Sequence, residues 1–365
     1  MRKAAVLDVT FPAGRRVIAV SDIHGNLPFL KGLLEKIEFS DSDILILLGD
    51  LLEKGEHSLA TLRYVMELSR SHTVYSVCGN CDRLLLDFLG SSGRRDKDFF
   101  ELYLGRWKER TVLAQMCAEI GLPLNCVEDM AAARTRLPEA FPEELAFLRA
   151  MPTILRTDRF LFVHGGVPRE DRLEELEAWR CMKNDDFLRQ GHRFDRWVVV
   201  GHWPVTLYHE HVPCAAPLVD RESRIVSIDG GCVLKADGQL NALFLPGDGR
   251  EEFEWMAYDG MPVMTALDDQ RGSEDSVNIR WGRSKLEILE RGEEMTLCRH
   301  VETGRVLPIW NGYLYETEKG VWCEDSTDLV LNVTAGERLS VVRRLSDRAL
   351  AKKKGVTGWY FGRLE

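Results

Sequence analysis

Asp22 and His24 lie one residue apart behind the apolar run Val17-Ile18-Ala19-Val20, and a Gly25-Asn26 turn follows them. A carboxylate and an imidazole at that spacing can hold one cation from the same side. Alone, the pair describes a capped turn equally well. Repetition separates the two readings. Asp50 follows a second apolar run behind Gly49, and Asn80 follows a third behind Gly79. His164 ends a fourth run ahead of Gly165-Gly166, and His202 follows a fifth behind Gly201. A neighbouring glycine permits tight turns and close approach of backbones at each place. Oxygen and imidazole donors converging from separate strand ends point to a dinuclear metal site.

The elements that must position these residues follow from periodicity. The runs at 17–20, 43–48 and 73–78 are apolar on both faces, as buried parallel strands are. Between them lie helical stripes, Leu27, Leu30, Leu33, Leu34 and Ile37, then Leu59, Leu62, Val65 and Met66 after Ser58. Strand–helix–strand alternation predicts right-handed crossovers, a parallel sheet, and ligands beyond the carboxyl ends of its strands. Residues from about 84 to 151 break the alternation. Segments 99–120 and, after Pro138, 139–150 read as helices of an insertion that covers the sheet or shapes substrate access. The sheet resumes at 159–163, 197–200 and 224–228, the last ending at Asp229-Gly230-Gly231, and 239–245 reads as a closing strand.

The turn-rich stretch 246–250 divides the chain into a catalytic domain, 1–245, and a β-rich domain, 246–365. In the second domain Gly292-Glu293-Glu294-Met295-Thr296-Leu297 is echoed by Gly336-Glu337-Arg338-Leu339-Ser340-Val341, and Gly312-Tyr313-Leu314-Tyr315 by Gly358-Trp359-Tyr360-Phe361. Short strands between glycine turns predict two barrel-like units or one elaborated barrel.

A net charge of -10 argues against a general nucleic-acid binder and leaves room for phosphate substrates held through cations. No uncharged apolar run approaches the ~20 residues that span a bilayer, and no secretory leader is expected from the first residues. Nine scattered cysteines give no paired zinc motif, although Cys78 and Cys81 have half of one. Free thiols of a cytoplasmic protein are the expectation.

Ser21-Asp22-Ile23-His24-Gly25-Asn26, Gly49-Asp50-Leu51-Leu52-Glu53-Lys54-Gly55, Gly79-Asn80-Cys81-Asp82, His164-Gly165-Gly166 and Gly201-His202-Trp203-Pro204 stand in this order along the chain. The series resembles that of the calcineurin-like metallophosphoesterases. It is most similar to their serine/threonine protein phosphatase (PPP)-like bacterial branch, which includes the symmetrical diadenosine tetraphosphatases. The resemblance spans about residues 16 to 245. It implies an α/β fold, a four-layer αββα sandwich with a helical insertion. It also implies two metal ions, Asp22 and His24 on the first, Asp50 bridging, and Asn80, His164 and His202 on the second. Manganese, iron or zinc suits that mixed donor set better than calcium. The implied reaction is hydrolysis of a phosphoric ester by a hydroxide held between the metals. A protein-phosphatase-like phosphomonoesterase is the leading expectation. A nucleotide or dinucleoside polyphosphate hydrolase or a phosphodiesterase is the alternative. A degenerate phosphoesterase acting as a binding scaffold is the rival that is not an enzyme.

The departures from the family pattern mark where substrate choice is decided. Cys81 and Glu53 occupy the positions of the family's general-acid histidine and its supporting aspartate, so either the thiol supplies the proton, or another residue does, or the substrate carries a good leaving group. Lys54 replaces a phosphate-binding arginine, keeping the charge and losing the bidentate fork. Arg180, in Glu177-Ala178-Trp179-Arg180, is either a second phosphate contact or a surface arginine. Asp229 reads as structural, and His57 as a surface residue. The expected partner is a phosphorylated protein or a nucleotide-type small molecule, with no membrane and no general nucleic-acid binding. Ser276-Val277-Asn278-Ile279-Arg280 and the final Gly358-Trp359-Tyr360-Phe361-Gly362-Arg363-Leu364 resemble bacterial SH3-type barrels. The C-terminal domain is therefore read as a module that binds a protein partner or dimerises, or as a structural appendage.

Overall fold

The computed structural model describes residues 2–247 and 250–365. The chain divides into two units. The first runs to Trp203 and takes in Pro217–Leu234 and Gln239–Tyr258. The second comprises Pro204–Ala216, Lys235–Gly238 and Asp259–Glu365. The division thus differs from a single cut at residue 246, and the turn expected at 246–250 lies partly outside the described residues, which omit 248 and 249.

In the first unit the strands are β1 (Val6–Asp8), β2 (Val17–Val20), β3 (Ile44–Leu47), β4 (Thr73–Ser76), β5 (Ile154–Arg156), β6 (Phe160–Val163), β7 (Trp197–Val200), β8 (Leu218–Asp220), β9 (Ile225–Ser227), β10 (Leu240–Phe244) and β11 (Glu254–Tyr258). They form two mixed sheets, ordered β11-β10-β2-β3-β4 and β1-β5-β6-β7-β9-β8. The pairs β2–β3, β3–β4, β6–β7 and β7–β9 are parallel, as the alternation requires. The closing strand β10 runs antiparallel to β2.

Side-chain alternation explains the layers. Val17, Ala19, Ile44 and Ile46 pack against Leu155, Phe160, Phe162, Trp197 and Val199, so the two sheets lie face to face. Ile18, Val20, Leu45 and Leu47 point the other way, onto helices α1 (Leu27–Lys36) and α2 (Ser58–Ser71). Leu161, Val163, Val198 and Val200 of the second sheet meet Leu173, Leu176, Cys181 and Phe187 on its outer face. The result is the αββα arrangement, with both faces of each central strand buried. That burial is why these strands read as unbroken apolar runs.

The insertion differs in detail from its sequence reading. Helix α3 (Asn80–Leu89) leads into it. The segment 99–120 is not one helix. It begins as a π-helical turn, Phe99–Leu104, and restarts as α4 (Val112–Glu119), where the Thr111 hydroxyl oxygen accepts from Ala114 N. Pro138 does not start a helix but lies within α5 (Asp129–Ala140). Phe141 leaves helical geometry, and α6 (Pro142–Ala150) opens on Pro142, where a missing N–H costs nothing.

The second unit is built from antiparallel strands in a four-stranded, a two-stranded and a five-stranded sheet. Separate cores lie under them, one around Leu339, Ala351 and Tyr360, the other around Leu286, Cys298 and Ile309. The echoed segments fall on strands Met295–His300 and Arg338–Arg344, which belong to different sheets and have different neighbours. Among the described residues, no helix is long and apolar enough to cross a membrane.

Candidate metal centre

Each expected ligand sits just beyond a strand or at the start of the helix that follows one. Asp22 and His24 follow β2, Asp50 follows β3, Asn80 opens α3 after β4, His164 follows β6 and His202 follows β7. Several of them hold left-handed backbone, Asp22 at φ 55, His24 at 50, Asp50 at 49 and His202 at 66. Glu53 and Lys54 do the same at φ 73 and 68. Such conformations cost roughly 1–3 kcal/mol each and persist where surrounding structure enforces them.

Backbone hydrogen bonds supply that enforcement. Asp22 N donates to Gly49 O at 3.1 Å and His24 N to Asp50 O at 2.8 Å, which ties the first two loops together. The Asp82 carboxylate accepts from Leu51 N at 2.9 Å, Leu52 N at 3.2 Å and Gly79 N at 2.9 Å. Asp22 Oδ2 accepts from His202 N at 2.9 Å, joining the two sheets' loops across the site. Glycine is required at two of these contacts. A Cβ on Gly201 would fall on Asp22 Oδ2, and one on Gly49 would lie 3.0 Å from His164 Nδ1 in a residue already at φ +79.

Asp50 stands at the centre. Its Oδ1 lies 3.3 Å from His164 Nε2, and its Oδ2 lies 3.8 Å from His24 Nε2. His24 Nε2 is also 3.9 Å from Asp22 Oδ1. Two donors sharing one cation at ~2.1 Å can stand up to about 4.2 Å apart, so each spacing fits a shared ion. Asp50, His164 and His202 form one donor group, and His24, Asp50 and Cys81 a second. Asp50 belongs to both.

The electrostatics ask for positive charge between these groups. His164 Nδ1 bonds the Leu48 carbonyl at 2.7 Å, so it carries a proton and Nε2 is the nitrogen turned to Asp50. Burial alone would depress the His164 imidazole, yet the Asp50 and Asp22 carboxylates raise it to about 10. Burial likewise works to raise Asp50, and His164 overrides it and holds Asp50 well below the ordinary carboxylate range. Burial lifts Asp22 to about 6. It lowers His24 to about 3 and His202 to about 4, which keeps their rings neutral and able to ligate. Among the described residues, His164 Nε2, Asn80 Oδ1 and Asp229 Oδ2 are buried without a hydrogen-bond partner. A buried polar atom left unpaired costs about 1–3 kcal/mol, and cations resolve the first two at once. The residues fit a metal pair.

The remaining expected site residues divide. Cys81 is buried beside His24 and Asp50, and its N–H donates to Asp50 Oδ1 at 2.8 Å. Burial, then the Asp50 charge, pushes its thiol well above the ordinary range. Lys54 faces Cys81, Asp50 and Asp22 and stays charged. Glu53 is buried, but its oxygens are engaged by the insertion, Oε2 by the Tyr103 hydroxyl at 2.8 Å and Oε1 by Val112 N at 3.0 Å. It is an anchor for the insertion. Arg180 is 85% exposed and pairs at 3.3 Å with Glu177, the residue that caps its helix Ala178–Met182. His57 is exposed, as expected. Asp229 is buried, and burial and then the Asp22 charge push its carboxyl well above the ordinary range, with Oδ1 accepting from Gly231 N at 2.8 Å.

Sequence reasoning missed Asp185, which takes His202 Nε2 at 2.7 Å, and Lys183, 3.2 Å from the same nitrogen. They lie in an irregular stretch with no periodic signal. It also missed the loop-clamping role of Asp82, whose place three residues into a helix is a capping signal.

The model of the calcineurin-like phosphoesterases matches residues 15–229. A symmetrical bis(5'-nucleosyl)-tetraphosphatase from Salmonella paratyphi B is 44% identical over 81 residues, 22% of this chain and 28% of its own length. The chain thus spans under a third of that curated relative. A metallophosphoesterase from Sphaerobacter thermophilus aligns with 67% of this chain and 88% of its own at 16% identity and a TM-score of 0.36. A protein serine/threonine phosphatase from Saccharomyces cerevisiae aligns with 72% and 85%, at 11% identity and a TM-score of 0.41. The matched residues run from the approach to β2 to Asp229 and so enclose every strand end that brings a donor to Asp50, and the chain belongs to the calcineurin-like phosphoesterase family.

Proposed function

We propose that the chain is a metal-dependent hydrolase of the phosphoesterase family whose substrate bond is a phosphoanhydride, as in a nucleoside polyphosphate. The observation that carries the hydrolase reading is Asp50, with one oxygen turned to His164 and the other to His24. Asp22, His24 and Asp50 would hold one cation, and Asp50, Asn80, His164 and His202 the other. When bound, such a pair activates water and neutralises charge on phosphoryl oxygens.

The chain's own residues do the rest. Asp22 holds the His202 backbone, so the two sides of the site keep one spacing. The Cys81 N–H holds Asp50 Oδ1. The Lys54 ammonium, beside Asp50 and Asp22, supplies a fixed positive charge for a substrate phosphate. Asp185 engages His202 Nε2 and leaves Nδ1 as the nitrogen free to ligate.

The substrate reading rests on Cys81. A thiol held above its ordinary range by burial is poorly matched to proton donation near neutral pH. Glu53 is turned to Tyr103 and Val112 and does not replace it. A phosphoanhydride needs no such acid, because its leaving group is already a stable anion. The tetraphosphatase relative is consistent with this choice. The second reading, a protein-phosphatase-like phosphomonoesterase, draws on Gly201-His202-Trp203-Pro204 with Lys54 as the phosphate contact.

The test is a substrate screen of manganese-loaded protein on dinucleoside polyphosphates, phosphopeptides and bis-p-nitrophenyl phosphate. Turnover confined to phosphoanhydrides is the expected outcome. Preference for phosphopeptides would replace the first reading with the second. Two bound metals with no turnover would point to a scaffold.

A further inference from the structure

We propose that Cys81 is itself a metal ligand, its sulfur completing the first cation's shell alongside Asp22, His24 and Asp50. The inference rests on the dinuclear reading and changes the chemistry of one of its two ions.

The geometry is direct. Donor atoms of His24, Asp50 and Cys81, all buried, lie within 4.8 Å of one another. Asp50 cannot swing away, because its Oδ1 is held by the Cys81 N–H at 2.8 Å. One residue therefore fixes the bridging carboxylate with its backbone and presents sulfur to the same ion with its side chain. Two further neighbours of the sulfur are donors. Asn80 Nδ2 lies 3.4 Å from it, and the Lys54 ammonium bonds it as well. Donors on either side suit a sulfur that carries negative charge. The Asp50 carboxylate, which belongs to the same donor group, stands close enough to the sulfur for one cation to meet both.

On binding, the sulfur–hydrogen bond is exchanged for a sulfur–metal bond and the proton passes to solvent. A soft thiolate added to imidazole and carboxylate shifts preference toward zinc or iron(II), away from magnesium and manganese. A metal-held sulfur also has no proton to give a leaving group.

Cobalt(II) reports this directly. The full chain is loaded with cobalt, the metal content per chain is measured, and the near-ultraviolet spectrum is recorded for wild type, Cys81→Ser and, as a control, Cys78→Ser. The expected result is a thiolate-to-cobalt charge-transfer band in wild type and Cys78→Ser that is lost in Cys81→Ser with two cobalt ions still bound. Two bound ions without the band in wild type overturn the proposal and leave the dinuclear reading standing. A band that survives in Cys81→Ser overturns it too. No bound cobalt at all sinks both. Should Cys81→Ser fail to fold, X-ray absorption of the zinc-loaded Cys78→Ser protein decides. A sulfur scatterer at about 2.3 Å supports the ligand, and a shell of nitrogen and oxygen alone refutes it.

Discussion

The Tyr103 hydroxyl donates to Glu53 Oε2 at 2.8 Å, which ties the π-helical turn of the insertion to the loop that carries Asp50. Glu53 holds left-handed backbone and is buried, so its carboxylate has no water to turn to. Tyr103→Phe removes one donor and leaves the buried oxygen unpaired. A loss of about 1–3 kcal/mol of stability is expected. Urea unfolding measures it, and an unchanged midpoint would mean that the contact carries no weight.

The same carboxyl makes stability depend on pH. Burial raises Glu53 from 4.5 to about 7. The folded chain then keeps a proton that the unfolded chain gives up, so this contribution is complete below 4.5 and is lost as pH rises through about 7. Glu53→Gln cannot titrate. The stability difference, wild type minus Glu53→Gln, must therefore fall between about pH 4.5 and about pH 7. Paired unfolding curves across that range test it, and a constant difference would remove Glu53 from the account.

Asp50 is the residue through which both donor groups pass. Asp50→Asn keeps the shape and removes the charge that His164 and His24 share. Hydrolysis should fall by more than about 100-fold, with fewer than two metals retained per chain, since even groups supporting a ligand are worth about 10–100-fold. Full activity in this variant would end the dinuclear assignment.

Asp185 supports His202 through the ring nitrogen Nε2. Its carboxylate accepts the Nε2 proton at 2.7 Å and so fixes which ring nitrogen is bare. Asp185→Asn is expected to weaken metal affinity by about 10–100-fold. A competition titration against a chelator reads this separately from turnover. Equal affinities would show that the contact orients nothing.

The loops that gather around Asp50 were legible because each joins a chemically distinctive residue to glycine at the end of an apolar run. Asp22, Asp50 and His202 carry that signal in a few consecutive letters. The short edge strands β1, β5 and β8 were not legible, since three residues are too few to show a period. The insertion misled where local rules compete. Pro138 is tolerated in the last turn of α5, and Thr111 divides a continuous apolar pattern with a cap. The contacts of Glu53 were hidden for a different reason. Its neighbours Tyr103 and Val112 are far along the chain, and nothing local announces a tertiary hydrogen bond. Asp185 escaped notice for that reason as well.

Gly201 tests whether the site's shape is set by backbone approach. It precedes His202 and lies so close to Asp22 that an added Cβ would fall on the carboxylate's Oδ2. That oxygen is the one accepting the His202 N–H, so a methyl group there must push Asp22 away from both His202 and the first cation. The added carbon would also lie 2.8 Å from Ser21 Cβ and Oγ, while β2 and β7 remain packed between the sheets through Ala19 and Val199. Gly201→Ala should therefore fold and still lose more than about tenfold in metal affinity, the lower end expected when a supporting contact is broken. Circular dichroism checks the fold and isothermal titration the affinity. Tight metal binding in a folded Gly201→Ala would show that Asp22 is not held where the His202 backbone places it.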